Sequence, residues 1–262
     1  MGVLSKPPLR QDPLVSGRRW VVGLLIGFSL LAWAGTIHWG MQMGSMRSHA
    51  HPMGAAFFLV MWGVMQAAMM FPSVLFMAIA FVTISQRQPG PHLLRTAAFL
   101  FGYLGIWVLT GGVAYPVWLG LQAVMSRSPE TARGIGAAIL VLAGLYQVSP
   151  LKYRCLSHCR SPLSYFIQHP VGRSPVYGLR LGLHHGAFCV GCCWALMSVL
   201  FAVGLMNLAW MGLLTLAIFI EKTHRHGHRI GQWIGVALIG LGLLLFVGPP
   251  MVRQFLTGMS GM

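Results

Sequence analysis

Residues 181–220 run Leu181-Gly-Leu-His-His-Gly-Ala-Phe-Cys-Val-Gly-Cys-Cys-Trp-Ala-Leu-Met-Ser-Val-Leu-Phe-Ala-Val-Gly-Leu-Met-Asn-Leu-Ala-Trp-Met-Gly-Leu-Leu-Thr-Leu-Ala-Ile-Phe-Ile220, forty residues without Asp, Glu, Lys or Arg. A bilayer core takes about 20 apolar residues as a helix. Forty therefore make two spans, with Gly204 and Asn207 as the hairpin between them. Outward from this stretch the chain repeats the pattern. Further apolar runs lie at 20–37, 54–84, 96–121, 134–148 and 230–247, the last closed by Gly248-Pro249-Pro250. The segment 149–180 carries Pro150, Pro162, Pro170 and Pro175 among its charges and is read as a polar inner loop. The fold class is an all-α polytopic transmembrane helix bundle of seven spans, or six if the fourth run is re-entrant.

Composition agrees. Of 262 residues, 56% are hydrophobic and 8% charged, where a soluble domain carries about 25% charged residues. Eighteen Lys+Arg face three Asp+Glu, a net charge of +15. With only Asp12, Glu130 and Glu221, catalysis by paired carboxylates is excluded in practice. Nucleic acid is not the expected partner, because the basic residues sit between long apolar runs. No small-residue cleavage site follows the first run, so that run stays as an anchor. With the N-terminus inside, only Arg47, Arg127, Arg133 and Arg253 fall outside and the other Lys and Arg fall inside. The positive-inside rule thus gives N-in, C-out: a basic cytoplasmic N-terminus at 1–19, one transmembrane domain at 20–250 and a short outer tail at 251–262. Gly23/Gly27, Gly182/Gly186 and Gly231/Gly235 have the small-xxx-small spacing that lets helices approach closely.

The soft ligands cluster. Cys155 and Cys159 lie in the inner loop with His158 between them, and Cys189, Cys192 and Cys193 lie in the fifth span. At about 100° per residue, with His185 as origin, Cys189 falls near about 40°, Cys192 near about −20° and Cys193 near about 80°. One helix face therefore carries an imidazole and three thiols, with His184 beside it. Thiolate and imidazole select Cu(I), Zn or iron–sulfur centres, although cysteine is also a common small hydrophobe of cores. Met61, Met65 and Met69 form a stripe on the second span, either packing or thioether ligands for Cu(I), and Met197 follows the thiols. The outer segment 38–53 holds His38, His49 and His51 with Met41, Met43, Met46 and Met53, which reads as a copper-collecting loop. His224, His226 and His228 form a His-x-His-x-His sequence, either a metal motif or a basic cap. Glu221 is expected to pair with Lys222 or a nearby arginine.

Met65-Gln-Ala-Ala-Met-Met-Phe-Pro-Ser73, Cys155-Leu-Ser-His-Cys-Arg160, Cys189-Val-Gly-Cys-Cys-Trp194, Gly204-Leu-Met-Asn207 and Glu221-Lys222 resemble the bacterial family of predicted metal-binding integral membrane proteins, a domain of unknown function. The likeness runs from about residue 55 to 245. It implies metal binding in a bacterial inner membrane, and brings no settled activity with it.

The leading expectation is a soft-metal binding, transport or delivery protein with copper(I) as its metal, zinc or none being the alternatives. The implied partners are the lipid bilayer, a metal chaperone or cuproenzyme, and a second copy of the chain. No nucleotide-binding loop or phosphorylatable Asp motif accompanies the spans, so a primary pump is not expected. Two other readings compete: a membrane thiol oxidoreductase, and a scaffold whose cysteines merely pack.

Overall fold

The computed structural model describes residues 13–45 and 54–247. In order, its helices are α1 (Pro13–Ser45), α2 (Ala55–Gln86), α3 (His92–Met125), α4 (Pro129–Val148), α5 (Pro150–Arg160), α6 (Pro162–Gln168), α7 (Pro175–Val203), α8 (Leu208–Thr223) and α9 (Gly227–Val247). Four of them open on Ser-Pro. Proline at the first position surrenders an N–H that has no partner there, and the serine before it can cap. Ser128, Ser149 and Ser174 accept from Thr131, Lys152 and Val176 backbone N–H groups. Pro150, Pro162 and Pro175 therefore start helices, with Pro170 in the turn after α6, and the segment expected as a loop is α5, α6 and the start of α7. The hairpin falls where expected: Gly204 takes φ +101 after α7, and the Asn207 side chain caps α8 at Trp210 N–H.

Six helices are long and apolar enough to cross a membrane: α1 (over Gly17–Met41), α2, α3, α4, α7 and α9. The fourth run is a helix of 20 residues. The element that falls short is α8, at 16 residues or about 24 Å at 1.5 Å per residue. The outward faces are apolar, with Phe101, Leu109, Trp233 and Val247 among many exposed large side chains, as a surface solvated by lipid requires.

Turns are tied together at two places. Gln88 donates to the Val171 carbonyl, joining the α2–α3 turn to the α6–α7 turn, and Arg160 at the end of α5 donates to the His224 and Arg225 carbonyls of the α8–α9 turn. At the first of these, Gly90 takes φ +105. The buried Arg95 guanidinium gathers the Gln88, Pro89 and Gly90 carbonyls.

What positions the interior is the seam between α3 and α7. A Cβ on Gly178, Gly182 or Gly186 would run into the carbonyl oxygen of Arg95, Phe99 or Tyr103 respectively. Both series advance by four, so the two helices run parallel and touch backbone to backbone along one ridge. Gly235 and Gly242 do the same for α9 against α4. Gly23 and Gly27 differ from this pattern, having nothing within 4 Å. Their spacing marks no contact inside the chain, because they face away from the bundle. Gly182→Ala is accordingly expected to destabilise the protein, by the roughly 1–3 kcal/mol typical of overpacking or more, while Gly23→Ala is expected to be neutral. Melting temperatures in detergent decide it.

Candidate metal centre

The α3–α7 seam lays Tyr103 against the thiol face of α7. The sulfurs of Cys189, Cys192 and Cys193 all lie within 4.8 Å of one another, and all three residues are buried. Among the described residues no other group of three His, Cys, Asp or Glu side chains converges this way. Cys192 Sγ is 3.2 Å from Cys193 Sγ and 3.9 Å from Cys159 Sγ. Tyr103 Oη is 3.1 Å from Cys189 Sγ.

The decisive neighbour comes from α8. Lys222 Nζ lies 3.0 Å from Cys189 Sγ and 3.1 Å from Ser73 Oγ. Ser73, one residue past the helix-interior Pro72 of α2, also stands 3.8 Å from Met70 Sδ. A buried ammonium demands an anion. Glu221, the acid next to it in sequence, is engaged elsewhere: its carboxylate receives Lys152 Nζ and Gln147 Nε2, each at 2.6 Å. Lys152 also donates to Gln147 Oε1. The expected partnership of Glu221 with Lys222 is therefore overturned. Consecutive helical residues point about 100° apart, so Glu221 looks toward α4 and α5 while Lys222 looks toward α2 and α7. Cys189 Sγ is left as the group that Lys222 Nζ faces.

The inner cysteines sit on the helix α5, not on a loop. Cys159 reaches the three-thiol group through Cys192, and Cys155 Sγ packs where a side chain on Gly191 would stand. Burial pushes the Cys155 thiol up, so it holds its proton at neutral pH. His158 lies flat on Phe188, ring centres 4.3 Å apart. His185 is buried with its Nδ1 unpartnered and its ring over Tyr103 at 5.8 Å. It stands beside the three-thiol group and is not a member of it. His184 turns outward toward Tyr165.

Met61, Met65, Met69 and Met197 are all buried in the core. Met70 Sδ lies 3.8 Å from Ser73 Oγ, whose hydrogen goes to the Met70 carbonyl at 2.9 Å. The expected outer loop divides: residues 38–45 continue α1, and residues 46–53 lie outside the described residues. His224, His226 and His228 do not converge. His224 and His226 stay near each other in the turn, while His228 lies in the first turn of α9 with its ring tilted against Tyr153 at 4.3 Å. Tyr103 and Ser73 escaped the sequence reading; a buried hydroxyl four residues along the Arg95–Phe99 row carries no signal until the seam is known.

A bundle of membrane-length helices enclosing three clustered thiols with a lysine amine against one of them has the ligand chemistry of a soft-metal site. Over residues 59–245 the chain matches the family model PpoB2, described as a copper chaperone, and it belongs to that family. The resemblance noted above promised only a metal binder; the match makes the family copper-related. No curated protein and no solved structure matches the chain.

Proposed function

We propose that the chain binds Cu(I) at Cys189, Cys192 and Cys193 inside the membrane and hands it on to a partner protein, with copper as cargo. The observation that carries this reading is the Lys222–Cys189 contact at 3.0 Å beside two further thiols. Charge balance explains its value. Before metal arrives, the Lys222 ammonium and the Cys189 thiolate cancel. When Cu(I) binds Cys189 and one of the other two thiols, that thiol loses its proton. One cuprous ion, two thiolates and one ammonium again sum to zero. Cu(I) enters as a proton leaves, and no net charge is added to a medium that penalises it.

Cys159 supplies the next thiol in line, 3.9 Å from Cys192, and is the exchange ligand through which the ion leaves the centre. His185 stands by as a neutral ligand, and the methionines of α2 with Met197 provide soft lining along the path. The end where α5, α6 and the α2–α3 and α8–α9 turns gather carries most of the basic residues, which supports a cytoplasmic face there, with N-in and C-out. The copper-chaperone description of the family fits hand-off to a metal-requiring protein.

Metal analysis of anaerobically purified protein tests the reading. The wild-type chain is expected to hold about one copper on sulfur ligands. The Cys189→Ser, Cys192→Ser, Cys193→Ser triple variant is expected to hold little at that site. Equal sulfur-bound copper in both would sink it.

A further inference from the structure

Outside the thiol centre, a second set of metal-ligating side chains gathers where α5, α6 and α7 meet. The rings of His169 and His184 have centres 4.7 Å apart. Phe188 links them to α5, with His158 flat on it at 4.3 Å and His184 edge-on at 5.0 Å. His184 is exposed, and His158 and His169 are half-buried.

Proton accounting separates this group from a chance cluster. His158 Nδ1 lies 2.9 Å from the Arg154 carbonyl, and His169 Nδ1 lies 3.1 Å from the Tyr165 carbonyl. A carbonyl only accepts, so both Nδ1 atoms carry hydrogen. His184 Nδ1 is 3.0 Å from Tyr165 Oη, and that hydroxyl donates its single hydrogen to the Leu181 carbonyl at 3.1 Å. His184 Nδ1 must then donate as well. All three imidazoles are fixed with the lone pair on Nε2, and Tyr165 fixes two of them. A histidine whose Nδ1–H is held by an oxygen acceptor, leaving Nε2 free, is in the form that ligates metals.

We infer that His169 and His184, with His158 at the rim, form an imidazole station for Cu(I) at the mouth of the thiol centre. The inference rests on the copper reading above and adds a site to it. Metal–nitrogen bonds run about 2.0–2.1 Å, so one ion can bridge two rings as close as these. Imidazole suits copper, and the site lies at the α6–α7 turn, where His169 caps α6. Position supports a sequence of stations. His158 precedes Cys159, whose sulfur neighbours Cys192, and Phe188 precedes Cys189. An ion released from the buried thiolates meets weaker, accessible ligands next.

The test uses the full chain in detergent with all five cysteines changed to serine, titrated anaerobically with Cu(I) against bicinchoninate, with X-ray absorption to identify the ligand atoms. That protein is expected to retain Cu(I) in a nitrogen shell. Adding His169→Ala and His184→Ala is expected to abolish this binding, whereas His224→Ala with His226→Ala is expected to leave it. Tyr165→Phe keeps the ring but frees His184, and is expected to weaken binding about tenfold, as loss of a group that orients a metal ligand does. Unchanged nitrogen-bound Cu(I) without His169 and His184, or no nitrogen shell in their presence, overturns the station. Should the serine variant fail to fold, the two histidine changes are made in the wild-type chain and the second copper equivalent is read. Wild-type protein measured alongside keeps the two claims apart: sulfur-bound copper without a nitrogen site defeats the station alone, and absence of sulfur-bound copper defeats the function proposed above.

Discussion

Changing Lys222 to methionine is expected to weaken Cu(I) binding by about ten- to a hundred-fold at neutral pH, the range seen when a partner of a metal ligand is lost. The more diagnostic change is in the pH profile. On the proposed charge balance the empty wild-type centre holds Cys189 as a thiolate, so filling two thiolates expels one proton. Affinity then falls about tenfold for each unit of pH lowered, because protons compete for that thiol. Without the ammonium, Cys189 keeps its proton in the empty protein and two protons must leave. The fall steepens to about a hundredfold per unit. Lys222→Arg retains the charge and is expected to retain the shallow slope. Cu(I) affinities measured across pH, with proton release counted by calorimetry, decide the matter. A methionine variant with wild-type affinity and a one-proton slope would show that Lys222 is not the countercharge.

Lys152→Met is expected to have the largest effect on stability. It leaves the Glu221 carboxyl, 1% exposed, with Gln147 as its remaining partner. Removing one member of a buried pair costs about 3–5 kcal/mol, since the survivor has neither water nor partner. Because the pair links α5 to α8 and Gln147 adds α4, the loss should loosen α5 and carry Cys159 away from Cys192. Lys152→Met together with Glu221→Leu removes both charges and should recover much of the loss. Thermal unfolding of the two single variants and the double variant gives the coupling energy. Additive effects would mean that the contact contributes nothing.

The apolar helices were legible because hydrophobic run length is a local property, and so was the hairpin at Gly204 and Asn207, although α8 falls short of the span expected there. The thiol face was legible for the same reason: positions 189, 192 and 193 share a side of any helix. What lay beyond reach was everything decided by pairing between helices. Lys222 stands next to an acid in sequence, and proximity along the chain pointed to the wrong partner. Only the packing of α8 between α2 and α7 sends it to Cys189. Met61, Met65 and Met69 made a conspicuous stripe, and all three are buried in the core. Pro150, Pro162 and Pro175 looked like breakers, while each follows a serine and opens a helix, which turned a supposed loop into the helix that carries Cys159. The glycine rows show the same limit: Gly23/Gly27 and Gly182/Gly186 are identical as patterns, and only the second meets a neighbour.

The backbone seam between α3 and α7 has a consequence for timing. Tyr103 and the three thiols of α7 ride on two helices locked at carbonyl distance by Gly178, Gly182 and Gly186. Cys159 rides on an 11-residue helix outside that seam. If copper is handed on as proposed, a site divided this way would combine a long equilibrium hold with a short dwell. The fixed thiols would set how tightly the ion is kept, and the approach of Cys159 would set how often one sulfur displaces another, so the rate of hand-off would not have to follow the strength of binding.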